Sequence, residues 1–170
     1  MILTIFTLVH VLISLVGIAS GLVVLFGLLT SKRLDTWTKI FLVTTVLTSV
    51  TGFFFPFHGF TPGHGVGIIS LLVLPVAIYA RYKRQLAGSW RRTYVITAMI
   101  ALYLNVFVLI VQLFEKVPAL RAMAPTQTEG PFKLTQLVTL LLFVVLTILA
   151  ASRFRGEQLQ TPSSATSPAR

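Results

Sequence analysis

Thr93–Phe114 reads TYVITAMIALYLNVFVLIVQLF, 22 residues without one charged side chain. A hydrocarbon layer roughly 30 Å thick is crossed by about 20 helical residues, each rising 1.5 Å. The stretch has that length and that apolar character, so the sequence predicts a membrane-crossing helix here. A transmembrane barrel strand would alternate apolar and polar residues with a period of two. Neither this run nor Leu140-Leu141-Leu142-Phe143-Val144-Val145-Leu146 alternates. Lipid satisfies no backbone N–H or C=O, so a segment that is not part of a barrel must pair them internally, as a helix does.

Outward from this stretch lie four similar runs, at 2–30, 40–57, 65–82 (uncharged as far as Tyr79) and 134–152. The sequence therefore predicts an all-α integral membrane bundle of five transmembrane helices over residues 1–155. Residues 156–170, rich in Ser, Thr, Pro and Gln, read as a disordered cytoplasmic tail. The second, third and fifth spans are slightly short and call for snorkelling flanks or a thinned bilayer. Over the 170 residues, 55% are hydrophobic and 11% charged, with a mean hydropathy of +0.89. Soluble domains carry about 25% charged residues. A soluble chain this poor in charge would expose large apolar patches, which excludes that class. No basic residue precedes Lys32 and the first apolar run is too long for a signal peptide, so it reads as a retained span. The absence of Cys removes disulfides, thiol chemistry and iron–sulfur clusters together.

The charge of +10 is gathered in short clusters between apolar runs, which argues against a nucleic-acid partner. With five spans, the loop holding Lys32, Arg33 and Lys39, the loop holding Arg81, Lys83, Arg84, Arg91 and Arg92, and the tail share one side. That side carries eleven Lys/Arg and the other carries three. The excess of positive charge predicts an N-terminus outside and a C-terminus in the cytoplasm. Trp37 and Trp90 fall where interfacial anchors sit. The pattern is that of small multi-pass proteins of the bacterial inner membrane.

Helical spacing sets the faces. His10, Ser14, Gly17 and Gly21 form one stripe, with Gly17 and Gly21 a GxxxG pair that lets another backbone approach, either within the chain or from a partner or second copy. Tyr94, Ala98, Ala101, Asn105 and Gln112 share a face and are expected to point inward. Pro75 is expected to kink the third span. Val117–Ala124 is expected to hold a short surface helix. No Lys, Arg, Asp or Glu lies deep in a span, which argues against a carboxylate-driven pump or proton-coupled transporter.

The chemistry-bearing residues gather on the predicted outer side. His10 lies about two turns into the first helix. His58 and His64 flank Gly59-Phe60-Thr61-Pro62-Gly63, and Gln112 lies at the outer end of the fourth helix. Imidazole is a common metal and haem ligand. His10, His58 and His64 together would suit zinc or copper. His10 and His64 would alternatively serve as opposed axial ligands of haem b beside Phe53, Phe54, Phe55 and Phe57, with Gln112 in the same pocket. No nucleophile elbow, phosphate-binding loop, His-Glu-x-x-His helix or paired carboxylates are present. Three functional readings remain: a non-catalytic accessory or interaction subunit in contact with the lipid bilayer, a haem- or metal-binding redox protein, and a small transporter using an Asn105–Gln112–His10 seam.

Overall fold

The computed structural model describes residues 2–55 and 62–155. All elements among them are helical. Five long helices and one short one follow in order: α1 (Ile2–Leu29), α2 (Asp35–Gly52), α3 (Pro62–Ile78), α4 (Trp90–Lys116), α5 (Pro118–Met123) and α6 (Gly130–Arg153). At its end α3 runs straight into a widened π-helical turn, Tyr79–Lys83. Four helices are long and apolar enough to cross a membrane: α1, α3 with its π turn, α4 and α6. The remaining long helix, α2, has 18 residues, opens on Asp35 and carries Lys39 among several Thr and Ser.

The helices begin earlier than the uncharged runs. α2 starts at Asp35 where the run starts at 40, and α6 starts at Gly130 where the run starts at 134. The reason is that polar residues are accommodated in the first turns of these helices. Pro131 occupies the first turn of α6, where a missing N–H leaves no helical bond unmade. Pro118 opens α5 in the same way, within the range expected for a surface helix. Residues 56–61, with His58, and the tail from residue 156 lie outside the described residues.

α4 is the hub. It contacts α1, α3, α5 and α6, while α2 packs against α1 and α3. Tyr94, Val95, Ala98, Ala101, Leu102 and Asn105 are all buried on α4, at spacings that keep them on its inward side. Phe41 and Leu42 from α2, and Leu74, Ala77 and Ala80 from α3, complete the core. α2 and α4 face each other diagonally and meet where Asn105 Nδ2 donates to Thr45 Oγ1 at 3.2 Å. α6 lies outside this four-helix unit, against α4 and α1, and buries only Phe143 and Ala150.

Close approach at the α1 stripe is used within the chain. A Cβ on Gly21 would lie 2.5 Å from Leu102 Cδ1 and 2.9 Å from the Phe41 ring. On Gly17 it would lie 3.2 Å from Thr44 Oγ1. The glycines thus seat α2 and α4 against α1. Overpacking a well-filled core costs roughly 1–3 kcal/mol. Gly21→Ala should therefore lower thermal stability in detergent by about that amount, Gly17→Ala by less, and Gly130→Ala, which meets nothing within 4 Å, by nothing measurable. Melting temperatures followed by circular dichroism check the ranking.

Candidate functional site

Consider first the end that carries the histidines. His10 is half-buried on α1, and its Nδ1 lies 2.8 Å from Thr51 Oγ1 on α2. Thr51 has one hydroxyl proton, and it is directed to the Leu47 carbonyl at 2.6 Å. The imidazole, the Thr51 hydroxyl and the Leu47 carbonyl thus form one line of polar contacts. The Phe55 ring packs edge-on to the imidazole at 5.0 Å. His64 lies in the first turn of α3, its ring 5.9 Å from Phe53. The two imidazoles are thus set against different phenylalanines of the turn that follows α2. Gln112 is exposed on α4, unlike the rest of its predicted face. Phe114, two residues further along α4, is buried, so at this end the helix turns a different side inward. Among the described residues, no three His, Cys, Asp or Glu come together closely enough to hold a metal ion.

The two glutamates at this end sit in solvent. Glu115 is exposed at the end of α4. Glu129 accepts hydrogen bonds from Thr126 N–H (3.1 Å), Thr126 Oγ1–H (2.8 Å) and Thr128 N–H (3.0 Å). Desolvation pushes its carboxyl up, but these bonds together outweigh it and hold the group below the usual glutamate value. Glu129 therefore organises the turn into α6.

At mid-bundle the polar groups mostly serve their own helices. Ser20 donates to the Val16 carbonyl, Thr44 to Ile40, Ser49 to Thr45, Thr97 to Thr93, and Thr147 to Phe143, all at 2.6–2.9 Å. Each hydroxyl thus finds an acceptor one turn back, where lipid supplies none. Gln136 Nε2 donates to the Phe107 carbonyl across the α4–α6 contact at 3.3 Å. Thr48 Oγ1 and Gln136 Oε1 are buried without a partner and stand on different helices.

The most unusual chemistry is at the opposite, basic end. Arg81, in the π turn, is only 3% exposed. Its guanidinium pairs with Asp35 at the start of α2. It also lies 5.2 Å from the ring centre of Tyr94 and 5.9 Å from that of Tyr82. Arg33 approaches the same Asp35 oxygen at 3.7 Å. The Tyr94 hydroxyl is fully buried beside Thr38 and Arg81 but makes no well-formed hydrogen bond. Three elements therefore converge on one buried cation: α2 through Asp35, α4 through Tyr94, and the π turn itself. A π turn rotates the residues after it relative to an α-helix, which turns Arg81 inward. After the turn, Gln85 and Leu86 both take positive φ, 50° and 61°. That conformation is unfavourable for a leucine. It is offset by burial of Leu86 in the core and by its N–H donating to the Ala80 carbonyl at 3.1 Å.

Sequence reading counts Arg81 with the loop charges. The usable signal is Asp35, the one acid among the charges of the first and third loops. A lone carboxylate opening a helix amid many cations has a partner to find.

Further bonds draw the basic end together. Arg91 Nη1 donates to the Arg155 carbonyl at 2.7 Å, and the Arg155 N–H donates to Ser31 Oγ at 3.0 Å. The first loop, the start of α4 and the end of α6 are thereby tied at one pole.

Fold and sites together define an all-helical bundle, with four helices fit to cross a membrane and an arginine pinned inside one pole. No family model matches the chain, and neither a curated protein nor a solved structure does.

The buried pair makes a sharp energetic claim. Removing Asp35 strands the buried guanidinium without its counter-charge, whereas removing Arg81 leaves a carboxylate that is 70% exposed and open to water. Asp35→Asn should lower stability by about 1–3 kcal/mol, while Arg81→Met should change it by less than about 1 kcal/mol. Asp35 is itself largely exposed, which keeps the first figure below the full cost of an unpaired interior charge. Thermal unfolding of the two variants side by side decides between this order and its reverse.

Proposed function

We propose that the chain is a five-span inner-membrane protein, N-terminus outside and C-terminus cytoplasmic, that acts as a non-catalytic accessory or interaction subunit. The observation that carries this reading is where the polar groups go. Most hydroxyls and amides of the long helices bond to carbonyls of the same chain or, like Asn105 and His10, to a hydroxyl on a neighbouring helix. A permeation route would need a continuous lane of them facing an open path. Instead the centre is filled by Phe41, Leu74, Met99 and Leu102. The protein's contribution in this reading is the shape and charge of its surface.

Two facts support five crossings. α2 is packed along α1 and α3 and reaches α4 through Thr45, so it shares the depth of helices that are fit to span. The bonds among Ser31, Arg91 and Arg155 unite the first loop, the third loop and the end of α6 at one pole, as an odd number of crossings requires. The cationic character of that pole favours a cytoplasmic location.

The native chain has no cysteine, so single introduced thiols report topology. Ser89→Cys should be shielded from a membrane-impermeant thiol reagent in intact cells, and Ala119→Cys should react. Reversed labelling would overturn the orientation. For the accessory role, gently solubilised membranes should yield an assembly larger than the 18.7 kDa chain on native gels. Vesicles containing the purified chain should show no solute flux above empty ones. A lone chain would overturn the accessory role, and flux that Asn105→Leu abolishes would replace this reading with a transporter.

A further inference from the structure

Between α2 and α3, on the lipid-facing side near the basic pole, lies an open groove of about 560 Å³. Its floor and walls are apolar: Val46 from α2, and Leu71, Leu74, Pro75 and Ile78 from α3. It ends in polar-tipped groups, Tyr79, Tyr82 and Lys83. Pro75 has a part in its shape. A proline inside a helix cannot bond to the carbonyl four residues back, here that of Leu71, and its ring pushes the preceding turn aside. The groove lies at this turn.

Charge at the mouth is arranged on both sides. Lys39 precedes Val46 by seven residues, two helical turns, so it stands on the same face of α2 about 10 Å nearer the pole. Lys83 stands about 12 Å beyond Pro75 in the same direction. The two helices run antiparallel, which brings both lysines to the same level. Asp35, the acid described at this pole, is engaged by Arg81 and Arg33. Among the described residues neither Lys39 nor Lys83 has an ion-pair partner. The groove thus combines an apolar trough, a tyrosine collar at interfacial depth and two uncompensated ammonium groups.

We propose that this groove holds one anionic phospholipid, an acyl chain against Val46, Leu71 and Ile78 and the phosphate between Lys39 and Lys83. An acyl chain is the apolar body available at that depth, and lysines near a membrane surface favour anionic headgroups. The phenol hydroxyls of Tyr79 and Tyr82 supply donors at the level of the glycerol esters. Arg81 takes no part, because it is turned inward on Asp35. The site is independent of the accessory role proposed above and of which leaflet the pole faces.

Native mass spectrometry of the purified full chain in mild detergent tests it, with phosphatidylglycerol and phosphatidylcholine of identical chains as probes. The wild type should retain a single phosphatidylglycerol at roughly tenfold lower lipid concentration than phosphatidylcholine. Lys39→Gln with Lys83→Gln, both at exposed positions, should abolish that preference. Lys116→Gln with Lys133→Gln at the opposite pole should preserve it. Val46→Trp fills the trough and should reduce retention of both lipids, with circular dichroism confirming its fold. Millimolar inorganic phosphate should leave the bound lipid in place. The proposal is overturned if the wild type does not discriminate, if the preference survives loss of both lysines, if it falls with the opposite pair, or if phosphate displaces the lipid. It is likewise overturned if folded Val46→Trp retains both lipids as before.

Discussion

A chain surrounded by hydrocarbon must answer its own hydrogen bonds, and much of the molecule follows from that requirement. Helices meet it for the backbone. For side chains, the solution is local: serine and threonine hydroxyls turn back to carbonyls three or four residues earlier. Only a few polar groups are left to reach across, and they cross where packing already brings helices together. Asn105 reaches Thr45 through the centre, and Gln136 reaches the Phe107 carbonyl at the edge. Such contacts average only ~0.6 kcal/mol in membrane bundles. Their main effect is register: Asn105 can meet Thr45 only if α2 and α4 stand at one relative height.

The same requirement explains how charge is tolerated inside the basic pole. The Arg81 guanidinium pairs with Asp35 and lies close to the faces of Tyr94 and Tyr82. A planar guanidinium suits this setting, since it pairs and stacks at once. Lysine at the same position would lack the stacking. The π turn and the two positive-φ residues after it provide the path that takes the chain from α3 around this cation and into α4.

Most of the architecture could be read from residues alone, because hydrophobic run length and helical spacing act locally. The run from Thr93 to Phe114 and the face through Tyr94, Ala98, Ala101 and Asn105 both reappear in α4. The Gly17–Gly21 stripe reads as a close-approach surface, and its neighbours are Thr44, Phe41 and Leu102. Helix starts were less legible, since interfacial residues such as Asp35 and Gly130 are polar yet helical. The uncharged run 40–57 reads as a span, yet α2 is not among the four helices long and apolar enough to cross, because its apolar residues are diluted by Thr and Ser. Arg81 was hidden for another reason: an arginine at the end of an apolar run has an ordinary explanation in topology, and only the π turn redirects it. The histidines share a side in the sequence pattern, which says nothing about distance: His10 meets Thr51, His64 lies by Phe53, and His58 is outside the described residues.

One further consequence concerns the position of α6. It packs mainly on α4 and α1, and its inner surface meets Tyr103 through Phe143, with ring centres 5.6 Å apart. Just past its end, Arg155 joins Ser31 and Arg91, residues separated from it by most of the chain. Biosynthesis runs from the N-terminus, so these partners all exist before α6 has left the ribosome. The first four long helices must therefore coexist for a time with Tyr103, the Phe107 carbonyl and the Ser31 hydroxyl uncovered. Completion of the fold is a lateral docking event, in which the final helix closes the seam between the oldest and the central parts of the polypeptide.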